Sequence, residues 1–247
     1  MDQPSLAVII PAYNEQERIG PTLSRVAEYF ANYTETWRVY VISDGSSDNT
    51  NQVVEDFAKS NQNFELIAYS PNRGKGYAVR HGMLQVQADY ILFSDADLAA
   101  PIEEITKLQA ALNNKTPIAI GSRPLKESTL EIRQPWYREM LGRAFNKAVQ
   151  ILAVKGIDDT QCGFKIFRND VAKDVFSRCK LDGFGFDFES LIIARDLGYP
   201  IAEVPIRWSH QEGSKVILLR DGPRMLRDLI KIRMWGKTKR LQKRDEP

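Results

Sequence analysis

The sequence is poor in residue types that define several classes of protein. Only two cysteines, Cys162 and Cys179, occur in 247 residues, too few for a disulfide framework, so a reducing compartment is expected. The two histidines, His81 and His210, lack the spacing of a metal site. No apolar run approaches the ~20 residues that cross a bilayer, and the N-terminus lacks the pattern of a signal peptide. These absences predict a cytoplasmic protein without a transmembrane helix.

Charge is nearly balanced but unevenly distributed. The whole chain carries a formal net charge of +2. From Lys215 to the end there are 11 Lys or Arg and 4 Asp or Glu, hence +7, which leaves −5 for the rest. Such a basic end favours contact with an anionic surface. A nucleic-acid binder is disfavoured, because the basic residues are not interleaved with aromatic residues on a platform.

Strand-like and helix-like segments alternate through the first half of the chain. This alternation predicts βαβ units and an α/β fold, with a mostly parallel sheet sandwiched by helices. The second half is less regular, with helical patterns over Trp136–Val154 and residues 186–198 and a late strand within residues 199–210. The predicted strands of the first half are Leu6–Ile10, Arg38–Ser43, Phe64–Tyr69, Tyr90–Ser94 and Ile118–Ser122; the predicted helices are Glu17–Phe30, Asn49–Lys59, Tyr77–Val86 and Pro101–Leu112.

Polar clusters follow four of these strands: "PAYNE" (11–15), "SDGSSDNT" (43–50), "SPNRGKG" (70–76) and "SDADLAAP" (94–101). Turns and helix N-caps favour the same residue types, which explains any single cluster without a ligand. Ligands of parallel α/β sheets, however, bind beyond the carboxyl ends of the strands. Four clusters at one edge therefore favour one shared site.

The most specific of these clusters is "SDADL". In extended backbone, positions i and i+2 point the same way, so Asp95 and Asp97 can converge. Two adjacent carboxylates repel each other unless a cation lies between them. Oxygen ligands suit Mg²⁺ or Mn²⁺, which also bind substrate phosphates. We therefore predict a divalent metal held by Asp95 and Asp97.

The successive motifs "VIIPAYNE", "ISDGSSDNT", "NRGKG" and "FSDADL" resemble those of inverting family 2 glycosyltransferases with the GT-A fold. The later motifs "GSRP", "DDTQCGFKIF", "GFDFE" and "RWSHQEGSK" are similar to those of polyprenyl-phosphate hexosyltransferases, most of all the dolichyl-phosphate β-glucosyltransferase branch. The resemblance extends from about Ala7 to Lys215. It implies a Rossmann-like GT-A domain over residues 1–215 and C-terminal amphipathic helices in a basic, membrane-proximal extension over residues 216–247.

The resemblance also assigns roles to individual positions. Ala99 departs from the pattern, because related mannosyltransferases carry a metal-binding glutamine there; fewer protein ligands and more water are implied. Arg123 and Arg138 fall where the family places phosphate-binding arginines, a role that suits the planar guanidinium fork, although a solvated helix face would also explain Arg138. The implied nucleotide-sugar-binding residues are Pro11, Ala12, Tyr13, Glu15, Asp44, Gly74, Lys75, Asp95 and Ala96. The implied catalytic residues are Asp97, Arg123, Arg138, Asp159 and Lys215.

These roles imply transfer of a hexose, glucose from UDP-glucose first of all, onto a polyprenyl phosphate at a membrane surface. A phosphate acceptor is already ionised and needs no general base, and a single displacement would invert the anomeric centre. Two alternatives stay open: a GDP-mannose-dependent polyprenyl-phosphate mannosyltransferase, and a non-catalytic nucleotide-binding module. A Rossmann dehydrogenase is disfavoured, because "GKGYAV" does not follow the first strand.

An amphipathic segment between Pro223 and Trp235 bears on the membrane. Met225, Leu226, Leu229, Ile230 and Ile232 fall within about half of the circumference of a helix, with Arg224, Arg227 and Lys231 opposite. This pattern fits an interfacial helix. It also fits a helix whose apolar side packs on a protein core. We expect peripheral association with an anionic membrane.

Overall fold

The structure is a computed structural model that describes residues 5–132, 156–211 and 218–244, with isolated positions 140, 147, 149 and 150. The strands are β1 (Leu6–Ala12), β2 (Trp37–Asp44), β3 (Phe64–Tyr69), β4 (Tyr90–Ser94), β5 (Ile118–Ser122), β6 (Thr129–Ile132), β7 (Phe164–Arg168), β8 (Ile201–Pro205) and β9 (Arg207–Ser209). The α-helices are α1 (Gln16–Phe30), α2 (Thr50–Ser60), α3 (Lys75–Gln85), α4 (Ile105–Ala111), α5 (Asn169–Phe176), α6 (Phe186–Asp196), α7 (Leu218–Met234) and α8 (Lys237–Leu241).

Seven strands form one sheet in the order β3-β2-β1-β4-β7-β5-β8, and β6 pairs with β9 in a separate ribbon. Within the large sheet β7 is antiparallel to both of its neighbours, and every other pairing is parallel. Two successive antiparallel pairings restore the strand direction, so β5 runs the same way as β4. The carboxyl ends of β1, β2, β3, β4 and β5 therefore meet at one edge.

Alternate side chains of the sheet build two cores. Ala7 and Ile9 of β1 face one core, which α3, α5, α6 and α7 cover, whereas Val8 and Ile10 face the other, which α1, α2 and α4 cover. Strands buried on both faces are expected for a parallel sheet between helical layers. The predicted α/β class is confirmed, and the predicted strands Phe64–Tyr69, Tyr90–Ser94 and Ile118–Ser122 match from end to end.

Two helix predictions differ from the structure or lie outside it. The predicted helix Pro101–Leu112 begins as a 3₁₀ turn over Ile102–Glu104 and becomes α-helical only in α4. The Glu104 carboxylate accepts hydrogen bonds from the backbone N–H and Nε of Arg207, which ties this first turn to β9. The predicted helix Trp136–Val154 lies largely outside the described residues.

The predicted membrane-facing side of the C-terminal helix is wrong for three of its five apolar residues. Met225, Leu229 and Ile232 are buried in the core beside α3, α5 and α6, because that core would otherwise be open to water on this flank. Part of the basic segment is also tied to the body of the protein: Arg240 pairs with Asp196 at 2.6 Å. Among the described residues, no helix combines the length and apolar character that crossing a membrane requires.

Candidate active site

A cleft of about 920 Å³ opens at the carboxyl edge of the sheet. The ends of β1, β2 and β4 form one wall, the start of α3 forms its floor, and the segment Lys180–Phe184 and one side of α7 form the opposite wall. The cleft brings together every residue that the resemblance assigned to the donor and the metal. They are Pro11, Ala12, Tyr13, Glu15, Asp44, Gly74, Lys75, Asp95, Ala96 and Asp97.

Asp44, at the end of β2, holds the loop that follows β3. Its Oδ1 accepts hydrogen bonds from the Tyr69 hydroxyl at 2.8 Å and the Arg73 N–H at 2.7 Å. Its Oδ2 accepts from Asn72 Nδ2 and the Gly74 N–H, both at 2.8 Å. An ionised carboxylate has about four acceptor sites, so this one is saturated. Its role in the structure is to fix the loop that brings Lys75 into the cleft.

The glycines of the "RGKG" segment are explained by close backbone contact. Gly74 has a φ of +107°, and a Cβ there would lie 2.5 Å from the carbonyl oxygen of Asp182. A Cβ on Gly76 would lie 2.6 Å from the carbonyl oxygen of Leu181. The start of α3 therefore packs directly on the opposite wall of the cleft, and a side chain at either position would separate the two.

The carboxylates of Asp95 and Asp97 project from a turn after β4. The Asp95 N–H donates to the Gly163 carbonyl at 3.1 Å, and the Leu98 N–H donates to the Asp95 carbonyl at 3.2 Å. Leu98 has a φ of +46°, a left-handed conformation that costs free energy in a residue with a side chain and that often occurs at functional sites. Asp97 Oδ1 accepts from the Ala99 N–H at 3.0 Å, which leaves its other oxygen for a ligand.

Electrostatics at this turn favour a cation. Lys75 Nζ lies 2.6 Å from Asp95 Oδ1, although no donor of the described residues reaches that oxygen in hydrogen-bonding geometry. Burial, and next the charge of Asp95, raise the pKa of Asp97. Burial opposes the charge on Lys75, but the carboxylates of Asp95 and Asp187 raise its pKa overall. A second positive charge would lower the cost of two adjacent carboxylates.

The donor set fits a hard divalent cation that takes its other ligands from substrate and water. Within the part of the chain that the structure describes, no cluster of three or more His, Cys, Asp or Glu side chains could hold a metal. Asp95 and Asp97 would thus be the protein ligands. The sequence implied the same, because Ala99 stands where related mannosyltransferases carry a metal-binding glutamine.

A buried ion pair that the sequence did not reveal lies near the turn. Lys165 is 1% exposed; its Nζ donates to the Cys162 carbonyl at 2.6 Å and to the Asp187 carboxylate. Both Lys75 and Lys165 approach the ring of Phe93, at 5.4 and 5.8 Å from its centroid. In sequence, Lys165 is one polar residue within "FKIF". Asp187 lies in the first turn of α6, where its carboxylate pairs with Lys165.

Arg123 and Asp159 lie together at the end of β5 and are not part of the cleft lining. Arg123 Nε donates to Asp159 Oδ2 at 2.6 Å, and Nη2 donates to Oδ1 at 2.9 Å. Burial would raise the pKa of Asp159, but Arg123 holds it below its usual range. The Arg123 guanidinium, which was predicted to bind phosphate, is therefore paired with the buried Asp159 carboxylate. Arg138 and Lys215 lie outside the described residues, so their roles stay predictions.

The segment Lys180–Phe184 is a part of the site that sequence reasoning missed. The buried Glu189 carboxylate accepts hydrogen bonds from the N–H groups of Lys180 and Leu181, each at 2.8 Å. Asp182 forms ion pairs with Arg80 and Arg244, each at 2.8 Å. No motif in "KLDGFG" signals this arrangement, because the partners come from α3, from α6 and from the C-terminal end.

The protonation of Glu189 should make stability depend on pH. Burial raises the pKa of Glu189 to about 7, against 4.5 for an ordinary glutamate. The folded state thus binds this proton more tightly than the unfolded chain, so stability declines as pH rises from 4.5 to 7. The loss from this group is at most roughly 3 kcal/mol. Urea unfolding at several pH values should show a shallower decline in Glu189→Gln, whereas parallel curves for the two proteins would contradict this assignment.

The sequence was compared with models of protein families and with curated proteins. The sequence model of the family described as "Glycosyl transferase family 2" matches residues 7–176. The chain belongs to this family. Among curated relatives, the dolichyl-phosphate β-glucosyltransferase of Saccharomyces cerevisiae is 36% identical, over 93% of this chain and 74% of the relative. The dolichyl-phosphate β-glucosyltransferase of Homo sapiens is 34% identical, over 93% of this chain and 75% of the relative. The protein is thus a glycosyltransferase, as the motifs predicted.

Solved structures confirm the fold of this family 2 glycosyltransferase. Mannosyl-3-phosphoglycerate synthase from Rubrobacter xylanophilus superposes with a TM-score of 0.70 at 17% identity, over 99% of this chain and 78% of the other. Glucosyl-3-phosphoglycerate synthase from Mycobacterium tuberculosis was solved with Mn²⁺, UDP-glucose and glycerol 3-phosphate. It superposes with a TM-score of 0.68 at 16% identity, over 93% of this chain and 80% of the other. At this identity the likeness concerns the GT-A fold alone.

Proposed function

We propose that this enzyme transfers glucose from UDP-glucose to the phosphate of a polyprenyl lipid of the dolichyl type. The observation that carries the proposal is the cleft, which collects all ten donor and metal residues named by the resemblance. The relatives named as dolichyl-phosphate β-glucosyltransferases support the choice of sugar and acceptor.

Asp95 and Asp97 would hold Mg²⁺ or Mn²⁺, and their arrangement fits either ion. When bound, such an ion neutralises charge on the leaving diphosphate. A structural neighbour solved with Mn²⁺ and UDP-glucose supports a divalent cation together with this kind of donor. Lys75 adds a fixed positive charge beside the same carboxylates, and preorganised charge of this kind stabilises a leaving anion.

The side chains in the cleft agree with a reaction that needs no general base. Among the described residues that line it there is no histidine, and the Asp44 carboxylate is saturated by hydrogen bonds. A phosphate acceptor attacks in its ionised form, so the protein's task is to align acceptor and donor and to balance charge. A single in-line displacement on an α-linked donor would give a β-linked product.

A donor panel tests the proposal. Purified protein is mixed with a short polyprenyl phosphate, Mg²⁺ or Mn²⁺, and in turn UDP-glucose, UDP-galactose, UDP-GlcNAc or GDP-mannose, and lipid-linked sugar is measured. We expect UDP-glucose to give the highest kcat/KM. Preference for GDP-mannose would overturn the sugar assignment, and no transfer from any donor would favour a non-catalytic nucleotide-binding module.

We also propose that the enzyme acts at an anionic membrane surface, through the part of the predicted apolar side of α7 that stays exposed, extended by Met234. Leu226, Ile230 and Met234 are spaced four residues apart and are 44%, 48% and 80% exposed. We call them the apolar ridge. Such a ridge flanked by basic residues suits an interfacial helix, where apolar burial and attraction to anionic lipid act together.

Replacing Leu226 and Ile230 with Ser should weaken binding to anionic vesicles about tenfold, because roughly 1–2 kcal/mol of apolar burial is lost. Vesicle co-sedimentation at low salt measures this. Ile132→Ser is the matched control, since Ile132 is 56% exposed on β6 and lies apart from α7. Wild-type protein that stays in the supernatant, or a double variant that binds as tightly as wild type, would contradict the proposal.

A further inference from the structure

Helix α7 presents three different sides. Its core side, with Leu229 fully buried, packs under the sheet, and its apolar ridge faces solvent. On the third side, Arg224, Arg227 and Lys231 are spaced three and four residues apart, so they share one face of the helix. All three line the cleft that contains Asp95 and Asp97. We call them the basic face.

The basic face is available to bind a ligand. The side chains of Arg224 and Arg227 are 63% and 76% exposed. Their ion pairs with Asp221 and Asp228 are long, at 3.8 and 3.7 Å, beyond good hydrogen-bonding distance. Exposed pairs of this kind contribute little stability. Among the described residues, the forks of Arg224 and Arg227 therefore have no closer partner, in contrast to that of Arg123; Lys231 Nζ lies 5.3 Å from the centroid of the Trp235 ring.

The two walls of the cleft carry opposite charge. On the sheet side lie the carboxylates of Glu15, Asp44, Asp95 and Asp97, four negative charges against two positive charges from Arg18 and Lys75. On the α7 side, the basic face and Lys180 supply four positive charges against two from Asp221 and Asp228; Asp182 is already paired with two arginines. A cation and the diphosphate it carries suit the acidic wall. The basic wall then faces a second anion.

We infer that the basic face binds the phosphate monoester of the acceptor lipid. This inference rests on the proposed function and adds binding residues to it. Arginine forks match phosphate oxygens in geometry and charge. The basic face also lies between the cleft and the apolar ridge on the same helix. A phosphate held there points its ester oxygen and lipid chain along the ridge, toward the membrane surface, while its free oxygens face the donor.

The test uses a short, water-soluble isoprenyl phosphate, so that membrane binding does not enter. Steady-state kinetics of the double variant Arg224→Gln/Arg227→Gln should show KM for this acceptor raised at least about tenfold, the scale of lost charge-assisted hydrogen bonds. KM for UDP-glucose, and the Kd of UDP with Mn²⁺ from calorimetry, should stay within about twofold.

Arg233→Gln is the matched control. It makes the same replacement once on the same helix, removing one positive charge where the double variant removes two, at an exposed position that does not line the cleft, and it should leave the acceptor KM unchanged. An unchanged acceptor KM in the double variant would overturn the inference. An equal loss of UDP affinity would assign the basic face to the donor instead. Wild-type protein that transfers no sugar would refute the proposed function, an outcome distinct from either.

Discussion

Asp97→Asn should lower kcat/KM for sugar transfer about a thousandfold, roughly 4 kcal/mol of transition-state stabilisation. The substitution keeps the size of the side chain and its hydrogen bond from the Ala99 N–H, but it removes one of only two carboxylates at the turn. With so few protein ligands, a divalent cation should be lost at ordinary concentrations. EDTA should reduce the wild-type rate to the level of the variant.

The matched control is Asp56→Asn. Asp56 is an exposed carboxylate on α2 that pairs with Lys59 at 2.7 Å, so its loss should leave kcat/KM within about twofold, as for most surface substitutions. Calorimetry with Mn²⁺ and UDP separates binding from chemistry. Full activity of Asp97→Asn in the presence of EDTA would rule out the metal assignment.

Gly163→Ala should have the second largest effect, although Gly163 was not a predicted site residue. A Cβ at this position would lie 2.0 Å from Asp95 Oδ2 and 2.3 Å from Asp95 Cγ. The Asp95 N–H also donates to the Gly163 carbonyl at 3.1 Å, so the two backbones are held together. The carboxylate must therefore rotate away from its place beside Lys75.

Rotation of one side chain costs little stability, but displacement by about 1 Å near the chemistry can cost about a hundredfold in rate. We expect Gly163→Ala to lose about a hundredfold in kcat/KM and to bind Mn²⁺ with UDP more weakly, while its free energy of unfolding stays within about 1.5 kcal/mol of wild type. Gly236→Ala serves as control, because a Cβ at Gly236 would lie more than 4 Å from the other residues that the structure describes. Tight metal and nucleotide binding by Gly163→Ala would show that Asp95 tolerates the methyl group.

The features that could be predicted from sequence are those set by local pattern. The strand Tyr90–Ser94 is predicted to the residue because its apolar run ends at a charged turn. The donor wall of the cleft is predictable for a related reason: in a parallel sheet, the residues after each strand meet at one edge. The motifs therefore locate Asp44, Lys75 and Asp97 in one cleft before any tertiary contact is known.

The features that could not be predicted depend on contacts between distant parts of the chain. Helical periodicity shows that α7 has an apolar side with Met225 and Leu229, but it does not say whether protein or lipid covers that side. A lysine is ordinarily exposed to solvent, but Lys165 is buried with its partners Asp187 and the Cys162 carbonyl. Arg123 appeared available for phosphate because its partner, Asp159, lies across an intervening segment.

The most direct test of the account is to identify the product of one reaction: wild-type protein, UDP-glucose, a short polyprenyl phosphate and Mn²⁺. The account predicts equal amounts of UDP and a glucosyl phospholipid, and the anomeric proton of that lipid should show the NMR coupling of a β-glucosyl phosphate. An α-linked product would contradict the single inverting displacement. Free glucose and UDP in place of a glucosyl lipid would contradict the central claim that the cleft aligns a lipid phosphate with the donor.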